Sequence, residues 1–168
     1  MKIYTDGSAN PNPGPGGYGL VILDDNENLL YTISRNFKHT TNNEMELKAI
    51  LTAFILYGTK DKENISTIYT DSEYSRKTFT EWMFTWAKND WLNSKKKTPE
   101  NIGIITDFYW IWDEGYRINI ERVPGHSNHR WNDLADSLAG GKEKTYIDKD
   151  FNDLLNNRIK ILQKEGLL

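Results

Sequence analysis

The sequence predicts an α/β domain in which an antiparallel group of strands is followed by alternating helices and strands. Three observations carry this. Residues 2–5, 18–23 and 29–37 are rich in β-favouring side chains and are separated only by turn sequences, which suits antiparallel pairing. Helical signals take over from Thr41. A further apolar stretch, residues 65–70, then emerges from a helical crossover, the arrangement that places a strand parallel to an earlier one.

The first stretch delivers Asp6 into Gly7-Ser8 and then the run Asn10-Pro11-Asn12-Pro13-Gly14-Pro15-Gly16-Gly17, so Asp6 is expected at a strand end. Gly14, Gly16, Gly17 and Gly19 imitate a dinucleotide loop, but they open a strand and not a helix, which excludes one. Residues 24–28 form a turn before the third strand. Thr41 with Glu44 three residues later reads as a capping box, and Glu46, Ile50, Ala53, Phe54 and Tyr57 then share a helical face. Glu46 thus occupies the first turn of an apolar stripe, where a carboxylate is costly unless neutralised. An acid favoured by the helix dipole is the alternative.

Gly58 closes this helix, and the strand at 65–70 again ends in an acid, Asp71, with Ser72 as the cap of a helix over 73–86. Asp6 and Asp71 are therefore expected side by side at the tips of neighbouring parallel strands. Trp82 and Trp86 lead into a locally basic segment in which Lys88, Lys95, Lys96 and Lys97 face one acid, Asp90. Aromatics beside such a segment suit sugar and phosphate, with core packing and a solvated surface as the alternatives. A helix is predicted from Pro99 at its first turn to Gly115, and a fifth strand over 117–123. The loop Pro124-Gly125-His126-Ser127-Asn128-His129 precedes a helix over 131–139 that buries Trp131, Leu134, Ala135 and Leu138. This helix offers Asp133 and Asp136. Asn132, Ala135 and Ala139 flank Asp136 with small side chains, which let a helix lie close to a sheet. Gly140-Gly141 ends the compact unit, giving a domain over 1–141. A helical extension over 142–168 packs back through Phe151, Leu154, Leu155, Ile159 and Leu162.

Composition narrows the chemistry. The chain has 168 residues, 38% of them hydrophobic, and a net charge of −3, which argues against wholesale coating of nucleic acid. With no cysteine, thiol nucleophiles, disulfides and zinc–thiolate sites are excluded. No signal peptide or membrane span is apparent, so a cytoplasmic protein is expected. Carboxylates converging from separate elements make a hard oxygen site suited to Mg²⁺ or Mn²⁺. A pair of such ions about 3.5–4 Å apart would activate water and stabilise the departing oxygen of a phosphodiester. Glycosidase chemistry uses two acids, and explains neither four nor the basic tryptophan-bearing segment.

The chain resembles type 1 ribonuclease H. The residues that carry this are Tyr4-Thr5-Asp6-Gly7-Ser8 with Asn12-Pro13-Gly14-Pro15-Gly16-Gly17-Tyr18-Gly19, Thr41-Asn42-Asn43-Glu44-Met45-Glu46-Leu47, Thr70-Asp71-Ser72-Glu73-Tyr74, and Gly125-His126-Ser127 with Asn132-Asp133-Leu134-Ala135-Asp136-Ser137-Leu138-Ala139. They stand in the family's order and span residues 1 to about 141. The resemblance implies a ribonuclease H-like five-stranded mixed sheet, three strands antiparallel and two parallel, flanked by helices. It also implies Mg²⁺-dependent endonucleolytic cleavage of the RNA strand in RNA/DNA hybrids, leaving 5′-phosphate and 3′-hydroxyl ends, by a monomer. Two Mg²⁺ ions, or Mn²⁺, would be held by Asp6, Glu46, Asp71 and Asp136, with His126 moving protons or aiding product release.

The resemblance further assigns Asn12, Asn42, Asn43 and Glu73 to the minor groove and 2′-hydroxyls. Thr41 and Asn101 fall at a DNA-phosphate pocket, Tyr74 and Trp82 beside the DNA sugar, and Lys95, Lys96 and Lys97 in a basic protrusion. Glu44 and Glu73 depart from the pattern by placing acids where basic or neutral side chains are more usual, and residues 142–168 lie beyond it. A catalytically silent hybrid-binding domain and a four-acid DNA exonuclease are the alternatives; the intact acid set speaks against the first, and Asn42-Asn43 with the basic segment against the second.

Overall fold

The structure is a computed structural model that describes residues 1–123, 129–143 and 151–168. Strands β1 (Lys2–Ala9), β2 (Gly14–Leu23) and β3 (Leu29–Thr40) form the antiparallel group. After helix α1 (Asn42–Tyr57), β4 (Thr67–Thr70) joins β1 in parallel. Helix α2 (Glu73–Lys77) runs through a π-helical turn (Thr78–Trp82) into α3 (Met83–Lys88), and α4 (Ile102–Asp113) leads to β5 (Asn119–Arg122), parallel to β4. Helices α5 (Arg130–Ala139) and α6 (Phe151–Lys164) follow. The sheet order is β3-β2-β1-β4-β5, the five-stranded mixed sheet that the family resemblance implies.

Alternation along the strands divides the core in two. Ile3, Leu20, Ile22, Ile33 and Ile68 face α1 and α4, where Phe54 and Phe108 meet with ring centroids 4.4 Å apart. Tyr4, Val21 and Leu23 face α5 and bury Ala135 and Leu138. Helix α1 lies so deep that ten of its sixteen residues are buried, and the single apolar stripe read from the sequence is in fact an apolar cylinder.

The elements differ from expectation in three places. Strand β1 does not stop at Asp6 but pairs with β2 through Ala9, because glycines on both strands let neighbouring backbone close in where side chains would block it. Helix α4 starts at Ile102 and not at Pro99, since Asn101 adopts φ +60° just before it. Trp131 and Leu134 are only half-buried at the rim of the second core. Thr41 does cap α1, accepting from the Glu44 amide at 3.1 Å, while the Glu44 carboxylate turns to Thr40 and Lys48.

Helix α6 returns to α1. Leu162 is buried, Leu155 and Ile159 pack on the core, and Leu154 points outward. Arg158 donates to the carbonyls of Ile55 at 3.0 Å and Gly58 at 2.7 Å, placing a cation on carbonyls that the end of α1 leaves without helical partners.

Candidate active site

The parallel ladder between β1 and β4 ends at the pair Thr5 and Thr70. Asp6 follows Thr5 within β1 and Asp71 follows Thr70 just past the end of β4, so both carboxylates stand at the same edge of the sheet. Gly7 brings in the third acid: a Cβ there would stand 2.3 Å from the Glu46 amide nitrogen, so only glycine lets the first turn of α1 rest on the strand. Carboxylate oxygens of Asp6, Glu46 and Asp71 consequently lie within 4.8 Å of one another.

The fourth acid arrives by the same device from the other side. Gly19 sits opposite Asp6, and a Cβ on it would fall 2.5 Å from Leu138 Cβ and 2.6 Å from the Ala135 carbonyl. Helix α5 therefore lies against bare backbone, and Asp136 reaches the Asp6 carboxyl while remaining open to solvent.

Like charges at this spacing repel, and burial removes the water that would screen them. Burial first, then the charge of Asp71, pushes Asp6 up to about 8. Glu46 is raised well above the carboxylate range by burial and by Asp6. The buried Oε2 of Glu46 has no hydrogen-bond partner among the described residues. A buried orphan oxygen facing two further carboxylates fits a divalent cation, which would satisfy the lone pairs and reverse the repulsion together.

Around the cluster, the structure groups several of the other predicted residues. The Asn42 amide donates to Asn12 Oδ1 at 3.1 Å, and Asn42 Oδ1 accepts from the Ala9 amide at 2.7 Å, tying the Gly/Pro loop to the start of α1 beside exposed Asn43. The Tyr74 hydroxyl interacts with the Asn101 side chain, and the Tyr74, Trp82 and Trp86 rings follow one another at 6.0 and 6.2 Å. Beyond them a cavity of about 870 Å³ is lined by Trp82, Trp86, Lys88 and Lys96. Lys95, Lys96 and Lys97 are exposed, with the amides of Lys95 and Lys97 held by Asn93 Oδ1. His126 lies outside the described residues.

Three features escaped the sequence. Tyr4 stacks between Tyr69 at 4.8 Å and His129 at 4.9 Å, forming an aromatic floor two residues before each strand acid. Glu73 is engaged at both oxygens by Arg76, at 2.7 and 3.0 Å, which holds its carboxyl below its ordinary value. Arg122 stands 3.7 Å from the same carboxylate. Its only sequence signal was a basic residue near the end of the fifth strand.

Known proteins share the sequence and the fold of this chain. The family model described as RNase H matches residues 1–144. The chain is 36% identical over 156 residues to Ribonuclease HI of Haemophilus influenzae, covering 90% of this chain and 96% of the relative. Among solved structures, LC11-RNase H1 in complex with RNA/DNA hybrid is 27% identical with a TM-score of 0.58, over 82% of this chain and 95% of that one. The PFV RNase H domain shares the fold with a TM-score of 0.68 at 24% identity, over 82% of this chain and 90% of that domain.

Proposed function

The chain belongs to the RNase H family and is a ribonuclease of RNA/DNA hybrids, and we propose that it cuts the RNA strand internally with Asp6, Glu46, Asp71 and Asp136 as its metal-binding set. The observation that carries this assignment is the convergence of three carboxylates, two with raised pKa, on one strand edge with an unpartnered oxygen buried among them. Two Mg²⁺ ions, or Mn²⁺ in their place, would supply there an activated water and charge neutralisation for the departing oxygen, giving 5′-phosphate and 3′-hydroxyl ends.

The chain's own residues do the rest. Burial orients Asp6 and Glu46, while Asp71 and Asp136 close the open side. Asn12, Asn42 and Asn43, gathered where the Gly/Pro loop meets α1, offer amide donors and acceptors to 2′-hydroxyls in the minor groove. Thr41 and Asn101 are assigned to a DNA phosphate, and Tyr74 and Trp82 to the DNA sugar. The exposed Lys95, Lys96 and Lys97 add attraction for the backbone. His126 is the proposed proton carrier.

The test is cleavage of one labelled sequence as RNA/DNA hybrid, RNA duplex, DNA duplex and single strands, with Mg²⁺ and with chelator. Cutting is expected in the RNA of the hybrid alone, and only with the metal. Asp71→Asn should lower the rate on the order of 10³-fold while hybrid binding persists. Unchanged cutting by that variant removes Asp71 from the site, and cutting of DNA replaces the hybrid assignment with the exonuclease.

A further inference from the structure

An acid on the substrate path calls for an explanation, since a polyanion must pass Glu73 beside four other carboxylates. The surroundings of Glu73 provide one. Arg76, one turn along α2, binds it through two nitrogens, and Arg122 of β5 brings a second guanidinium alongside. One carboxylate and two guanidiniums leave this corner with a net positive charge.

The two arginines are not equivalent. Arg76 is fixed on Glu73 by a fork of 2.7 and 3.0 Å hydrogen bonds. Arg122 is 55% exposed, and at 3.7 Å its Nε is attracted to Glu73 without a full hydrogen bond. Among the described residues its guanidinium has no hydrogen-bonding partner, and more than half of the side chain is open to solvent and so to a ligand. An exposed ion pair of this length contributes about 0–1 kcal/mol at most, so stability does not account for it.

Its position relates it to the reaction. Arg122 pairs in register with Thr70, the residue before Asp71, and the next amide, that of Val123, donates to the Thr70 carbonyl at 2.8 Å. Arg122 is thus carried on the strand beside the one that leads into Asp71, with its guanidinium toward Glu73 of α2, whereas Trp86, Lys88 and the lysines at 95–97 lie farther along, on α3 and the loop after it. A guanidinium so placed offers a flat fork of donors suited to a phosphodiester.

We propose that Arg122, held in place by Glu73, binds an RNA-strand phosphodiester next to the one cleaved, so that Glu73 serves this site by positioning an arginine. The inference rests on the hybrid ribonuclease assignment above.

The test uses the full chain with Arg122→Met and Arg122→Lys. Hybrid binding is measured in chelator between about 50 and about 200 mM salt, and KM is measured with Mg²⁺. Loss of one phosphate contact lowers the log–log salt slope by about 1, so over this range the unmodified chain should lose about 3-fold more affinity than Arg122→Met. KM should rise in Arg122→Met, and Arg122→Lys should restore the slope. A neutral methylphosphonate linkage walked along the RNA strand should weaken the unmodified chain at one position flanking the cleavage site and leave Arg122→Met indifferent there.

Equal slopes and equal methylphosphonate profiles for Arg122→Met and the unmodified chain overturn the proposal, as does a sensitive linkage on the DNA strand instead. Failure of the unmodified chain to cut the RNA of the hybrid at all would instead remove the parent assignment, and the proposal with it.

Discussion

Replacing Gly19 with alanine should disable the site while leaving the fold standing. The new methyl carbon would lie 2.5 Å from Leu138 Cβ, 2.6 Å from the Ala135 oxygen and 2.9 Å from the Ala139 nitrogen. Ordinary carbon contacts need about 3.5–4.0 Å, so α5 must retreat from the sheet by about 1 Å. Overpacking of this kind costs about 1–3 kcal/mol, and a chain of this size loses about 2–4 °C of Tm per kcal/mol. Asp136 follows Ala135 on the same turn and moves with it. A displacement of about 1 Å in a catalytic group lowers the rate by about 10²-fold. The assay is the initial rate of hybrid cleavage well below the melting temperature, with thermal unfolding followed in parallel. Gly103→Ala is the control, because nothing lies within 4 Å of a Cβ at that position. A Gly19→Ala protein that melts earlier yet keeps its rate within about 3-fold would refute the idea that this backbone contact sets the position of Asp136.

Two further predictions concern stability. The raised pKa of Asp6, about 8 against an ordinary 3.8, means that the folded chain keeps a proton that the unfolded chain releases near pH 4. Its contribution is complete below about pH 4 and is lost as pH rises through about 8, so in chelator Asp6→Asn should match the unmodified chain at low pH. Above about pH 8 the variant should be the more stable by a few kcal/mol, as read from melting at several pH values; a gap that does not vary with pH would refute the cause. Arg158→Met removes two hydrogen bonds to the end of α1, at 2.7 and 3.0 Å, and should cost about 1.5–3 kcal/mol, a fall in Tm of roughly 3–12 °C. Denaturant melts of that variant would show no change if α6 merely lay on the surface.

Much of this was legible locally because the signals are local. Thr41 before the α1 pattern, β-favouring residues before each strand acid, and small residues beside Asp136 all act within a few positions of themselves. The π-helical turn within 73–88 and the start of α4 were not legible, since neither changes the periodicity that a sequence displays. Asp6-Gly7-Ser8 read as the end of a strand for a related reason. Glycine after an acid usually signals a turn, and whether it instead admits a neighbouring backbone depends on what the rest of the chain brings there.

By itself, then, the sequence determined which elements form, in what order, and which chemistry is available: carboxylates at element ends, no thiols, and a basic aromatic segment. Only the tertiary structure decided that three carboxylates share 4.8 Å of space, that Glu73 is matched by two arginines, and that α6 caps α1. The division has a physical cause. Propensity and periodicity act over a few residues, whereas repulsion among Asp6, Glu46 and Asp71, and the close approach of α1 and α5 at Gly7 and Gly19, arise between positions far apart in the chain. Those energies come into being only once packing has set the distances.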